Sequence, residues 1–169
     1  MRIHKLDNTK IDNQEMEALL SMFRNSSAVS DYMAIGEINT LETLHKVLNN
    51  KNVIHFIGYE DNAPVAYCQI IYKSESVNFN SGAKINAISV LPEKRRGGFG
   101  EAILNEAILD LKKNNTIKNI YLDVVKDNTA AVNLYKKLGF EKTGELKSIF
   151  TKDNILFDIE IYSLLINKQ

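Results

Sequence analysis

The chain is short of several residue types, and each shortage closes off a class of protein. A single cysteine, Cys68, stands among 169 residues. No intrachain disulfide can therefore form, and the apolar setting PVAYCQIIY predicts a buried, inert thiol. The three histidines, His4, His45 and His55, are scattered, with neither HExxH nor CxxC spacing, so a metal centre has no ligand set to build on. There are only two prolines, and no repeat, low-complexity tract or linker interrupts the chain, which predicts one domain over residues 1–169. Net charge is absent. Lys+Arg and Asp+Glu both number 21, without the basic excess typical of a nucleic-acid-binding domain. No run nears the roughly 20 apolar residues of a membrane span, and MRIHKLDNTK lacks the apolar core of a signal peptide. The expectation is a cytoplasmic protein with no membrane and no nucleic-acid partner.

What is present is an ordinary globular composition, 44% hydrophobic and 25% charged. The charge is unevenly placed. Residues 1–60 carry 6 basic and 8 acidic side chains, whereas residues 94–147 carry 11 and 7. That asymmetry suits an anion held by the second half, and equally a chance scatter of surface charge.

The period of the apolar residues predicts the elements. IHKL opens a short strand. Asp12-x-x-Glu15 and Asn39-x-x-Glu42 resemble helix starts and predict helices over 13–24 and 40–49. NVIHFIGY and PVAYCQIIY are strands joined by the hairpin-like Glu-Asp-Asn-Ala, and AKINAISVL is a third. A helical face of Ile103, Leu104, Ala107, Ile108 and Leu111 follows, then the strand IKNIYLDVV and a helix from Asn128 to Leu138, stopped by Gly139. Two strands, near Glu145–Phe150 and Ile155–Leu165, complete the chain. Antiparallel-looking strands around one strand–helix–strand unit predict an α/β fold with a mixed sheet and helices on its faces.

That central unit carries the stretch SVLPEKRRGGFGEAIL, residues 89–104. A strand passing through a glycine-rich turn into a helix N-terminus makes an anion site, because the first helical N–H groups lack partners and the macrodipole is positive there. Gly97, Gly98 and Gly100 fit that role, and Arg95 and Arg96 add charge-assisted donors for a diphosphate. A plain surface turn with solvated arginines is the alternative. A P-loop is excluded by the missing Gly-Lys-Ser/Thr. A dinucleotide fingerprint fits poorly, because Ile103 stands where the third glycine belongs and five residues, Pro92 to Arg96, intervene after the strand.

The residues resemble those of the GNAT N-acetyltransferases, whose pyrophosphate loop is Arg/Gln-x-x-Gly-x-Gly/Ala. Here it reads Arg95-Arg96-Gly97-Gly98-Phe99-Gly100, after Val90-Leu91-Pro92. A second family motif, Asn-x-x-Ala-x-x-x-Tyr with a following Gly-Phe, is matched by Asn128, Ala131, Tyr135 and Gly139-Phe140. Both motifs occur in order with a strand between them, and the likeness covers about residues 52 to 165. It implies the GNAT fold, a mixed and mostly antiparallel sheet of about seven strands flanked by about four helices. It also implies acetyl-CoA as cofactor, released as coenzyme A, and a primary amine as acceptor, on a small molecule, peptide or protein. A homodimer is possible by the same analogy.

The resemblance further implies roles. Backbone N–H groups from Arg96 through Phe99 to Glu101 would hold the pyrophosphate, and Ile88-Ser89-Val90 would lie alongside the pantetheine arm. Asn128 would hydrogen-bond the cofactor, although an asparagine there also serves as a helix N-cap. A backbone N–H of the bulged strand near Ile88–Val90 would meet the oxyanion. Tyr135 would be the general acid that protonates the thiolate, with a packed core tyrosine as the alternative. The base is unassigned. Where relatives carry glutamate or histidine, this chain has Lys84, Asn86 and Ile88, and nothing in the spacing chooses among Asp31, Glu37 and Asp123. On the acceptor side, Asn25 to Ile38, with Asp31, Tyr32 and Glu37, and Thr151 to Asn154 suit a cationic amine. Three functions follow for testing: an acetyl-CoA-dependent N-acetyltransferase, a non-catalytic acyl-CoA-binding module on the same fold, and a nicotinamide-binding oxidoreductase.

Overall fold

The computed structural model of the chain describes residues 1–6, 11–26, 38–72 and 81–166. In chain order the elements are β1 (Arg2–Lys5), α1 (Asn13–Asn25), α2 (Leu41–Leu48), β2 (Val53–Glu60), β3 (Ala63–Ile71), β4 (Gly82–Val90), α3 (Phe99–Lys113), β5 (Asn119–Val125), α4 (Thr129–Lys137), β6 (Glu141–Lys152) and β7 (Ile155–Leu165). The strands form one seven-stranded sheet in the order β1-β2-β3-β4-β5-β7-β6. Every pairing is antiparallel except that of β4 with β5. That parallel step is the strand–helix–strand unit of the sequence, with α3 as its crossover.

Local chemistry explains where the elements start and turn. Asp12 caps α1 by accepting from Glu15 N at 2.8 Å, and Met16, Leu19, Leu20 and Phe23 are buried at the predicted spacing. For α2 the cap is Thr40 rather than Asn39. Thr40 and Thr43 exchange a capping box, while the Asn39 carbonyl accepts from the Arg24 guanidinium at 2.6 Å. The β2–β3 and β6–β7 hairpins turn on Asp61-Asn62 and Asp153-Asn154, all four with positive φ, as two-residue turns of the hairpin-matching hand require. β6 begins at Glu141, four residues before the predicted start. Its first residues carry no apolar alternation for sequence reading to detect, and cross-strand pairing with β7 alone makes them a strand.

The sheet has a core on each side. One cluster joins α3 and α4 to Cys68, Ile70, Ala83, Ile85, Ile120, Leu122 and Val124. The other joins α1 and α2 to Ile57, Tyr67 and Ala87. Strand alternation separates them: Tyr67 belongs to the second cluster, and its neighbours Ala66 and Cys68 to the first. Cys68 is fully buried, which pushes its thiol up to about 12, so the inert reading of this cysteine holds.

Within the second side lies a buried histidine. His55 is 2% exposed and its Nδ1 is 2.8 Å from the Tyr67 hydroxyl. Burial lowers its pKa to about 4, against a smaller opposing effect of the Val47 backbone. The unfolded chain takes up this proton below about 6.5 and the folded chain only near 4, so stability contributed by neutral His55 is intact above 6.5 and lost as pH falls through that window. The loss is on the order of 3 kcal/mol. Urea unfolding at pH 7 and pH 4.5 should show His55→Gln losing less stability on acidification than the native chain. Equal losses would remove His55 as the cause.

Candidate active site

β4 and β5 are neighbours, yet they pair only between Gly82–Lys84 and Asn119–Tyr121. Beyond that register the ladder stops and a cavity of about 130 Å³ opens between them, lined in part by Asn86, Ile88, Asp123, Asn128, Ala131 and Tyr135. Its walls come from both sides of the sheet. Ile85, Val124 and Tyr135 belong to the α3/α4 core, whereas Asp123, between Leu122 and Val124, points to the α1/α2 side by alternation. The lining therefore draws on residues of both faces of the sheet.

The β4 pairing is irregular here. Gln69 pairs with Ala87 and Ile70 with Ile85, so Asn86 is an extra residue, a bulge. The bulge exchanges faces: Ile85 packs in the α3/α4 core, Ala87 in the other, and Ile88 and Val90 return to the first. The strand is therefore bulged, as the resemblance implied, and the bulge lies at Asn86, two residues before the Ile88–Val90 stretch.

Past Val90 the chain makes a 3₁₀ turn, Pro92–Lys94, held to β2 by a Lys94–Glu60 ion pair, and then the glycine loop. Gly98, the residue before α3, has φ 81°, and a Cβ there would meet no atom within 4 Å. The loop is open where a ligand would lie. Gly100 is the opposite case, since a Cβ would stand 3.2 Å from Leu134 of α4. Arg96 takes a left-handed φ of 63°, and Arg95 folds back so that Nε donates to Val90 O at 3.3 Å. Phe99 is buried in the core, and the Glu101 side chain turns to Lys137 at 2.5 Å, which leaves backbone N–H groups as the donors of this helix start.

Asn128 caps α4, its Oδ1 accepting from Ala131 N at 3.2 Å. The cap uses the oxygen, and Asn128 also lines the cavity. Tyr135 is 5% exposed and stands edge-on to Phe140, with ring centroids 6.0 Å apart. Burial, with smaller effects from Cys68 and Asp123, raises its phenol well above the usual range. No protein group among the described residues hydrogen-bonds its hydroxyl, an exception for a buried phenol and one that fits a group aimed at a ligand.

Of the three candidate carboxylates, Asp123 lines the cavity, in an ion pair with Lys84 of β4. Asp31, Glu37 and Tyr32 lie outside the described residues. Sequence reasoning missed the pairing of Asn86 with Gln69, whose Oε1 accepts from Asn86 Nδ2 at 2.6 Å, because no local signal joins two residues on different strands. A larger hollow of about 230 Å³ lies at the far edge, among Arg2, His4, Lys5, Leu6, Ile11, Glu15 and Tyr59. It gathers none of the motif residues, and its carboxylate, Glu15, is taken by the Tyr59 hydroxyl.

The sequence profile of the acetyltransferase (GNAT) family matches residues 16–140, which span both motifs and every lining residue of the cavity but Ile159. The chain belongs to that family. Among curated relatives of this GNAT chain, the N-alpha-acetyltransferase of Sulfurisphaera tokodaii is 38% identical over 64 residues, 38% of each chain. The ribosomal protein bS18 alanine N-acetyltransferase of Haemophilus influenzae is 29% identical over 107 residues, 63% of this chain and 60% of that one. The matched part thus spans less than two thirds of each relative's length. Among solved structures, yncA of Salmonella typhimurium, solved with its cofactor acetyl-CoA, superposes with a TM-score of 0.83 at 13% identity. That match covers 100% of this chain and 95% of that one, a likeness of fold. No described helix of the GNAT chain is long and apolar enough to cross a membrane.

Proposed function

We infer that the protein is an N-acetyltransferase that moves the acetyl group of acetyl-CoA to the α-amine of a peptide or protein, by direct attack. The observation that carries this reading is the cavity between β4 and β5, lined by the opened β4 strand, the α4 N-terminus, a tyrosine whose hydroxyl has no partner among the described residues, and a carboxylate. The open glycine loop before α3 fits a diphosphate, with backbone N–H groups of residues 96–101 as donors. The edge of β4 released by β5, from Ile88 to Val90, is free to pair with an amide-bearing arm, and Asn128 lines the same cavity. Acetyl-CoA supplies a thioester already activated toward amines.

The chain's residues then have two protons to move. Tyr135, kept protonated by burial, gives its hydroxyl proton to the departing sulfur as the C–N bond forms and the C–S bond breaks. Asp123 receives the amine's proton, directly or through water. The α-amine is the acceptor that this modest base suits. With a pKa near 7.8, about one α-amine in seven is neutral at pH 7, against about one in 2,500 for a lysine side chain of pKa about 10.4. The names of the two curated relatives point the same way, since both act on N-terminal amines or on an alanine of a ribosomal protein.

The test is coenzyme A release with product mass, using acetyl-CoA and peptides with free and blocked N-termini. Acetylation of the free α-amine alone supports the reading. Tight acetyl-CoA binding without turnover of any amine would instead favour a binding module, and NAD binding with indifference to coenzyme A an oxidoreductase. Asp123→Asn checks the base. Its kcat/KM should fall about tenfold or more at pH 7, and the deficit should shrink by pH 9, where the amine is neutral without help. A deficit independent of pH would deny Asp123 that role.

A further inference from the structure

On the α1/α2 side of the sheet a row of polar side chains crosses three strands and ends in the cavity. His55 on β2 pairs in register with Gln69 on β3, and Gln69 with Ala87 beside the bulge. Tyr67, two residues before Gln69 and so on the same face, hydrogen-bonds His55 at 2.8 Å. Gln69 Oε1 accepts from Asn86 Nδ2 at 2.6 Å. All but Asn86 are buried: His55 is 2% exposed, Tyr67 0% and Gln69 7%. A buried polar row in an otherwise apolar layer carries a desolvation cost that aliphatic side chains of similar size would avoid.

The row gives the last residue a fixed orientation. An asparagine amide can present either its oxygen or its nitrogen to a ligand, and the two ends recognise opposite chemistry. With Gln69 Oε1 taking the Nδ2 end, Oδ1 is the end that Asn86 has left to offer in the cavity it lines together with Asp123 and Tyr135. A neutral amine attacks through its lone pair and has N–H groups to spare. An acceptor for one of those N–H groups sets the direction of the lone pair, and a donor in the same place would bind the lone pair and block attack.

We propose that Asn86 orients the acceptor amine by accepting an N–H hydrogen bond at Oδ1, and that Gln69 is a positioning residue that holds the Asn86 amide in that sense. This rests on the N-acetyltransferase reading above, and it adds a residue to the acceptor side. The assignment explains the bulge, which brings Asn86 out of the ladder and into the opening. It also explains why a glutamine is buried beneath it. Orientation by one neutral hydrogen bond is worth about tenfold in kcat/KM.

The experiment uses the full chain with acetyl-CoA and free-amine peptides beginning with Ala, Ser or Met. Asn86→Ala should lower kcat/KM for peptide about tenfold or more with unchanged acetyl-CoA affinity. Asn86→Asp, which keeps an oxygen acceptor, should retain most of the activity. Gln69→Leu should match Asn86→Ala in kcat/KM. In ¹⁵N spectra the Asn86 side-chain NH₂ should exchange slowly in the native chain, and Gln69→Leu should abolish that protection. If Asn86→Ala and Asn86→Asp lose activity equally, or Gln69→Leu loses thermal stability but no kcat/KM, the assignment fails while the acetyltransferase reading stands. A native chain that binds acetyl-CoA and acetylates no peptide overturns both.

Discussion

Replacing Tyr135 by phenylalanine should lower kcat at least a hundredfold and leave acetyl-CoA affinity close to native. The size follows from the usual contribution of a positioned general acid, 10² to 10⁴ in rate. The selectivity follows from the structure. The hydroxyl makes no hydrogen bond to any described residue, so phenylalanine keeps the contact with Phe140 and the core packing and leaves no described partner unsatisfied. Only the proton is lost. Turnover by the native chain should also show no alkaline decline at the ordinary phenol pKa of about 10, because burial holds this phenol above it. Steady-state kinetics from pH 6 to 10, with acetyl-CoA titrated by calorimetry, checks both statements. Unchanged kcat in Tyr135→Phe would reduce this residue to a packed core tyrosine.

The second large effect is at Gly98. Gly98→Glu should weaken acetyl-CoA binding at least a hundredfold, to the point of abolishing turnover at ordinary cofactor concentrations. Two contributions can be separated. Any side chain at φ 81° carries a left-handed penalty of about 1–2 kcal/mol, and a carboxylate also places negative charge at the start of α3, where a diphosphate would lie. Gly98→Ala has the first without the second. Because no atom lies within 4 Å of the added Cβ, Gly98→Ala should fold with slightly lower thermal stability and bind acetyl-CoA almost normally. Equal binding by the glutamate and alanine variants would show that the loop does not hold the diphosphate.

Much of this fold is legible in the chain because its signals are local. Asp12 and Glu15 sit three apart, Met16, Leu19, Leu20 and Phe23 repeat at helical period, and Asp-Asn pairs mark two hairpins. Each can be read within a few residues, and each appears in the structure within a residue or two of its place. The misreadings differ in origin. At α2 two adjacent residues could both cap, and the local Thr40–Thr43 capping box decides between them. β6 starts at Glu141 because β7, distant in sequence, pairs with it. The place of the bulge at Asn86 likewise follows from the pairing of β4 with β3.

The candidate site divides in the same way. The glycine loop and the Asn128, Ala131, Tyr135 series are motifs of contiguous spacing, set by the needs of a helix start and a helical face, and the chain alone determined them. It also determined the absence of a disulfide and of the histidine and cysteine spacings of common metal sites. Which carboxylate stands beside Tyr135, and which way the Asn86 amide faces, were decided by the tertiary structure. Asp123 is one of 21 acidic residues and acquires its place only when β5 leaves β4 after three paired residues. Asn86 acquires its orientation only from Gln69 on the neighbouring strand. Backbone recognition of a phosphate needs a local conformation, which a short sequence encodes. Acid–base chemistry needs side chains converging from separate strands, and that convergence exists only once the sheet has formed.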